Sequence, residues 1–167
     1  MIALRKILVA TDFSEPSEAA LAYGRELAQR FGSRLLVAHV VENVLTAAVG
    51  ADGFVFNDPG LQQDADATAR KRVESLLTDE DRAVLGAKTV VIVSNVPAHA
   101  IVDYAREANV DLIVIGTHGR GAVAHLFMGS VAERVVRLAP CPVLTVRRPE
   151  REFVFVRPDA LVAVANA

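Results

Sequence analysis

Short β-branched, apolar runs alternate with helix-patterned segments as far as residue 147, and this alternation constrains the fold more than any other feature of the chain. A parallel strand reaches its neighbour only through a crossover, and a helix is the usual one. The runs KILVAT (6–11), RLLVAHVV (34–41), KTVVIVS (88–94), DLIVIG (111–116) and PVLTVR (142–147) predict five strands. LIVI and VVIV lack polar alternation, as strands covered on both faces of a doubly wound sheet require. Ser14 or Ser17 is placed to cap a first helix, Pro16 fits its opening turn, and Gly32 sits where a C-terminal glycine belongs. Ala20, Gly24, Leu27 and Phe31 mark its apolar face. A second helix is predicted over 61–78, with Leu61, Ala65, Ala69, Val73, Leu76 and Leu77 on one side. A third starts at Pro97 and buries Ile101, Ala105 and Ala108; the last covers 130–138 and stops before Pro140. Residues 42–60 have no period and hold three glycines and a proline, which predicts a long mobile loop.

With 167 residues, 52% of them hydrophobic, the chain suits one packed domain of roughly 100–200 residues. That domain is assigned to 1–147. Residues 148–167, RPEREFVFVRPDALVAVANA, form a C-terminal extension. It reads as a partly ordered tail, or as an added strand or a segment lying on a neighbouring subunit. A net charge of −2 offers no basic surplus for a nucleic acid. The apolar runs fall far short of the ~20 residues that span a bilayer. Arg5 and Lys6 interrupt the first apolar stretch, unlike a signal peptide. Cys141 is the one cysteine, which excludes an intrachain disulfide and a multi-cysteine metal cluster. The expectation is a cytoplasmic protein with no nucleic-acid and no membrane partner.

Glycines concentrate in GTHGRGAVAHLFMGSVAERV, residues 116–135, directly after DLIVI. In an open parallel sheet, ligands bind outside the carboxyl ends of the strands, where the strand order reverses. Gly116 closes the fourth strand at that edge. Gly119 and Gly121 allow a turn with no Cβ in a ligand's way, and Gly129 allows close approach before the last helix. The first helical amides, at Ser130, Val131 and Ala132, would then form an anion site strengthened by the helix dipole. Such a site needs no lysine, and the P-loop pattern GxxxxGK[ST] is absent. The alternative for SVAE is a capping box, with Ser130 as cap and Glu133 three residues on. The alternative for the glycines is a set of plain turns.

GTHGRGAVAHLFMGS fits the G-x2-G-x9-G-[ST] nucleotide motif of the universal stress protein family. The resemblance extends to KILVATDFSEPSEAALAYGRELA, HVV, VPAHAIVDYAREANVDLIVIGTHG and GSVAERVVRLAPCPVLTVR, roughly residues 4–147. It implies a flavodoxin-like, adenine nucleotide alpha hydrolase-like three-layer α/β sandwich, with a five-stranded parallel sheet of order 3-2-1-4-5. It implies homodimers paired along the fifth strand, or tetramers built from them, and unidentified protein partners. It also implies the ATP-binding branch of the family, with ATP as cofactor. Carried over position by position, it sets the phosphates against Gly119, Gly129, Ser130 and Val131. Asp12 and Gly116 then lie near the ribose, and Ala10, Thr11 and Val40 near adenine. A carboxylate at a strand end, as at Asp12, can accept ribose hydroxyls or hold Mg²⁺; its alternative is a cap on the first helix. Arg120 can pair with a phosphate or stay solvated. Two departures stand out: Asn95 replaces the glycine that many relatives carry before VPA, at the mouth of the site, and the tail after 147 has no family counterpart.

Efficient phosphoryl transfer needs a positioned base, metal ligands and a cation at the γ-phosphate. Asp12, His118 and Arg120 flank the glycine loop, but no second carboxylate for a metal site is evident. The expected function is therefore a nucleotide-dependent stress-response or regulatory protein, not an enzyme, with ATP turnover below about 1 s⁻¹ at most. His118 reads as a loop-ordering donor or a proton carrier, His39 as a satisfied core histidine, and His99 and His125 as surface groups. Cys141 reads as a small buried hydrophobe. The competing reading is an ATP-independent dimeric interaction module on the same fold. A phosphoacceptor domain fails on its residues: it needs an acidic cluster, an aspartate and a lysine where this chain has Asp12 alone, Asn95 and Arg147.

Overall fold

A computed structural model describes residues 3–44, 59–117 and 128–147. The strands are β1 (Lys6–Ala10), β2 (Arg34–Val41), β3 (Lys88–Val93), β4 (Leu112–Gly116) and β5 (Val143–Val146). All pair in parallel, in the order β3-β2-β1-β4-β5 that the resemblance implied. The helices among the described residues are α1 (Glu15–Phe31), α2 (Pro59–Glu74), α3 (Asp79–Val84), α4 (Pro97–Glu107) and α5 (Ser130–Leu138).

Successive residues of a strand face opposite sides of the sheet, and the core divides accordingly. Ile7, Val9, Leu35, Val37 and Val114 belong to one layer, closed by Ala20 and Ala28 of α1 and by Val73 and Leu77. Leu8, Ala10, Leu36, Ala38, Ile113 and Ile115 belong to the other, closed by Ile101 and Ala105 of α4 and by Ala132 and Val135 of α5. Each large side chain buried this way contributes roughly 1.5–3 kcal/mol. Gly24 lets α1 lie close on the sheet, because a Cβ there would stand 2.3 Å from Val9 Cγ2. Gly32 ends α1 in the left-handed region at φ 63°, its amide donating to Ala28 O, as the C-terminal glycine was expected to do.

The structure corrects several local expectations. Phe31 is 51% exposed and Leu61 54%; they occupy the last position of α1 and the first turn of α2, where an apolar stripe outruns the core. β3 is an edge strand, so VVIV is half-buried to exposed and not covered on both faces. The helix expected over 61–78 is shorter, ending at Glu74 as α2, and beyond it Thr78 starts a separate helix, α3, with a capping box. Thr78 Oγ1 accepts the Asp81 N–H (3.0 Å), and Asp81 Oδ2 accepts the Thr78 N–H (2.9 Å). Arg25 of α1 donates to both Asp81 oxygens, at 2.9–3.1 Å. Burial would raise the Asp81 carboxyl, but Arg25 and Thr78 together outweigh it and hold the pKa below the usual value. No helix among the described residues is long and apolar enough to cross a membrane.

Candidate functional site

β1 lies between β2 and β4. The chain leaves β1 through α1 toward β2 and β3, then crosses to β4 on the other side, so the strand order reverses at the carboxyl ends of β1 and β4. Ala10 ends β1 in register with Ala38 and Ile115, and Thr11 continues the ladder through an N–H to Ala38 O of 2.9 Å. Val40 lies near the end of β2, and Gly116 ends β4. The Thr117 amide is held by Val146 O (2.8 Å), and its carbonyl accepts the Gly129 N–H (2.6 Å). That second bond ties the start of α5 to the end of β4. Ala10, Thr11, Asp12, Gly116, Gly129, Ser130 and Val131 therefore occupy one carboxyl edge, as the motif spacing anticipated. His118, Gly119, Arg120, Gly121 and His125, most of the 42–60 segment and the 148–167 extension lie outside the described residues.

The turn after β1 is built around Asp12, which is half-buried. Its Oδ1 accepts the Ser14 N–H at 3.0 Å and the Ser14 hydroxyl at 2.5 Å. Side chains of this type commonly close such a turn onto the backbone two residues ahead. The cap alternative thus holds in modified form: Asp12 organises the entry to α1, and Ser14, which has the extended backbone of an N-cap, makes no side-chain cap bond. Ser17 is buried, with its hydroxyl donating to Ser14 O (2.8 Å) and lying 3.1 Å from Thr11 Oγ1. Thr11 Oγ1 also accepts the Phe13 N–H at 3.0 Å. Phe13 adopts φ 64°, a left-handed conformation that bulky residues rarely take. His39 of β2 donates Nδ1–H to Thr11 O at 2.8 Å, so it is partnered as expected, but it is half-buried and not a core residue. Its ring lies 4.3 Å from the Phe13 ring, and the Arg72 guanidinium lies 4.1 Å over Phe13. Phe13 and Arg72 escaped the sequence reading, which holds no signal for a left-handed phenylalanine.

At α5 the cap is Gly129, not Ser130. A capping residue stands just outside the helix, and Ser130 is its first residue, so the box between Ser130 and Glu133 that stood as the alternative does not form. Glu133 instead donates its N–H to Gly129 O (3.0 Å), and its carboxylate lies 3.7 Å from Arg137. The amides of Ser130, Val131 and Ala132 precede that first intrahelical bond, and helix starts present such donors to outside acceptors. Gly129 has φ −70° and ψ 149°, angles open to any residue, so the turn itself does not demand glycine. Gly116 differs: a Cβ there would lie 2.8 Å from the Pro16 carbonyl carbon. Its absence of a side chain has a packing reason beside any ligand.

Asn95 acts at the mouth of the edge. Its Oδ1 accepts the Asn43 N–H (2.8 Å), while Gln62 Oε1 accepts the Val44 N–H (2.9 Å). The Asn95 side-chain carbonyl thereby fastens the segment that follows β2. Cys141 is half-buried against the α4–α5 layer; burial and the charge of Asp111 push its thiol up against a weaker opposing bond from Ile113. That suits a packing role. Among the described residues no three His, Cys, Asp or Glu side chains gather as a metal cage. The donor set instead pairs one carboxylate with a row of helix-start amides, which fits a hydroxyl-bearing anion better than a bare cation.

The family model described as the universal stress protein family matches residues 3–147. A universal stress protein of Thermus aquaticus is 38% identical over 144 residues, covering 86% of this chain and 98% of the relative. The solved structure of universal stress protein UspA from Lactobacillus plantarum superposes with a TM-score of 0.70 at 28% identity, over 88% of this chain and 100% of that one. A universal stress protein solved in complex with cAMP shares the fold, with a TM-score of 0.56 at 23% identity over 87% and 98% of the two chains.

Proposed function

The chain belongs to the universal stress protein family, and on that premise we propose that it is an ATP-binding regulatory protein of the stress response. The observation that carries this reading is the bond from Gly129 N–H to Thr117 O, which brings helix-start amides to the strand-order switch beside Asp12. The amides of Ser130 and Val131 take the phosphates, and the motif adds His118, Gly119 and Arg120, outside the described residues, to the same group. Asp12 accepts the ribose hydroxyls near Gly116, and the backbone of Ala10, Thr11 and Val40 borders adenine. Mg²⁺ would neutralise phosphate charge, and Asp12 is the carboxylate that would hold it in place of the ribose contact. The cAMP-bound relative supports the fold at 23% identity; the choice of ligand rests on the residues of this chain.

Among the described residues no three His, Cys, Asp or Glu side chains gather at Asp12, which supports a nucleotide that acts as a signal and is turned over slowly at most. A cytoplasmic homodimer paired along β5 transmits nucleotide binding to protein partners. Titration calorimetry with ATP and Mg²⁺ tests the site. Wild type binds, whereas Gly129→Val loses about tenfold or more, equivalent to about 1.4 kcal/mol, with an unchanged circular dichroism spectrum. Unaltered affinity in that variant would overturn the phosphate assignment. No binding by wild type at millimolar ATP would favour the ATP-independent interaction module.

A further inference from the structure

We propose that Arg72 is a positioning residue for the nucleotide site, acting through Phe13 on Asp12; the inference rests on the ATP-site reading above. Three elements meet in one stack. Arg72 of α2 lies 4.1 Å over the ring of Phe13, in the turn after β1, and that ring lies 4.3 Å from His39 of β2, tilted by 48°. His39 closes the circuit by donating to Thr11 O at 2.8 Å. Asp12 stands between Thr11 and Phe13, so both peptide planes that aim its carboxylate are held by this stack.

The backbone of Phe13 supplies the reason that a clamp is needed. At φ 64° a bulky side chain is disfavoured, and such a conformation persists only where the surroundings over-determine it. Thr11 Oγ1 fixes the Phe13 amide, while Arg72 and His39 fix the ring. Arg72 is exposed and contributes no core atoms, so its effect travels through the ring face. α2 is itself joined to the end of β2 by Gln62, through the Val44 amide. A shift of α2 therefore reaches Asp12 through Arg72, which makes the helix a lever on the ribose end of the site.

The test is a double-mutant cycle read by ATP titration, with hydrogen exchange of the Ser14 amide as a second measurement on ligand-free protein. Arg72→Ala should weaken ATP by about two- to fivefold, the equivalent of roughly 0.5–1 kcal/mol for an exposed cation–π contact. Arg72→Lys should recover part of the loss. In an Asp12→Asn background, Arg72→Ala should change nothing further. The Ser14 amide, whose acceptor is Asp12 Oδ1, should exchange faster in Arg72→Ala. Unchanged ATP affinity in Arg72→Ala with wild type binding normally, equal losses in both backgrounds, or unchanged Ser14 exchange would each overturn the inference alone. Failure of wild type to bind ATP would remove the site reading and this inference together.

Discussion

Gly116→Ala separates two reasons for one glycine. The added Cβ would sit 2.8 Å from the Pro16 carbonyl carbon, 2.9 Å from its oxygen and 3.0 Å from its Cβ. Ordinary contact begins near 3.4 Å, so the first turn of α1 must retreat by about half an ångström. Main-chain atoms cannot rotate away, which places the cost in the upper part of the overpacking range, about 2–3 kcal/mol. Lower entropy of the unfolded chain returns ~0.4–1 kcal/mol. The net expectation is a loss of about 2 kcal/mol, or ~4–8 °C in Tm for a domain of this size. Urea unfolding followed by circular dichroism would measure it, with the m-value unchanged. Because Pro16 follows the Asp12 turn, ATP affinity should also fall. A ligand role alone would give the opposite stability result, since a methyl in open space stabilises slightly. A variant as stable as wild type would refute the packing reasoning.

Two further substitutions address the scaffold. Gly24→Ala should cost about 1–3 kcal/mol by pressing its methyl onto Val9 Cγ2, 2.3 Å away, despite ~1 kcal/mol of helix propensity; adding Val9→Ala should cost less than the sum of both singles, and strict additivity of urea midpoints would show that α1 does not approach β1 there. Asp81 has a folded pKa below its unfolded value of about 3.9, so its contribution is full above pH ~4 and declines as pH falls through the folded pKa. Arg25→Met should cost about 1–2 kcal/mol at pH 7, leaving Arg25's exposed third discounted, and should flatten the decline in acid; parallel stability–pH curves for wild type and variant would contradict this.

Strand positions were legible because each run of β-branched residues is bounded by polar or glycine positions, and their burial confirms the reading for Ile113, Val114 and Ile115. Period and composition cannot say which strand lies at an edge, and VVIV looked central although Val93 is exposed. α3 was missed because six residues are too short to show a period, yet Thr78 and Asp81 carried its signature in their spacing. The candidate site was legible as a constellation: Asp12, Gly116 and Gly129 do converge on one edge. Its fine structure was not. Ser130 and Gly129 differ by a single residue in helix start, below the resolution of pattern reading. The Arg72–Phe13–His39 stack joins residues far apart in sequence, with nothing local to announce it.

The hydrogen bond from Gly129 to Thr117 has a consequence for how such a chain can diversify. It staples together the two feet of the segment between them, so β4 and α5 are joined whatever that segment contains. Lengthening a closed loop costs little, ~0.6 kcal/mol per doubling. Insertions and exchanges between those two feet should therefore be tolerated by the scaffold, leaving the segment free to drift in sequence while the sheet stays the same.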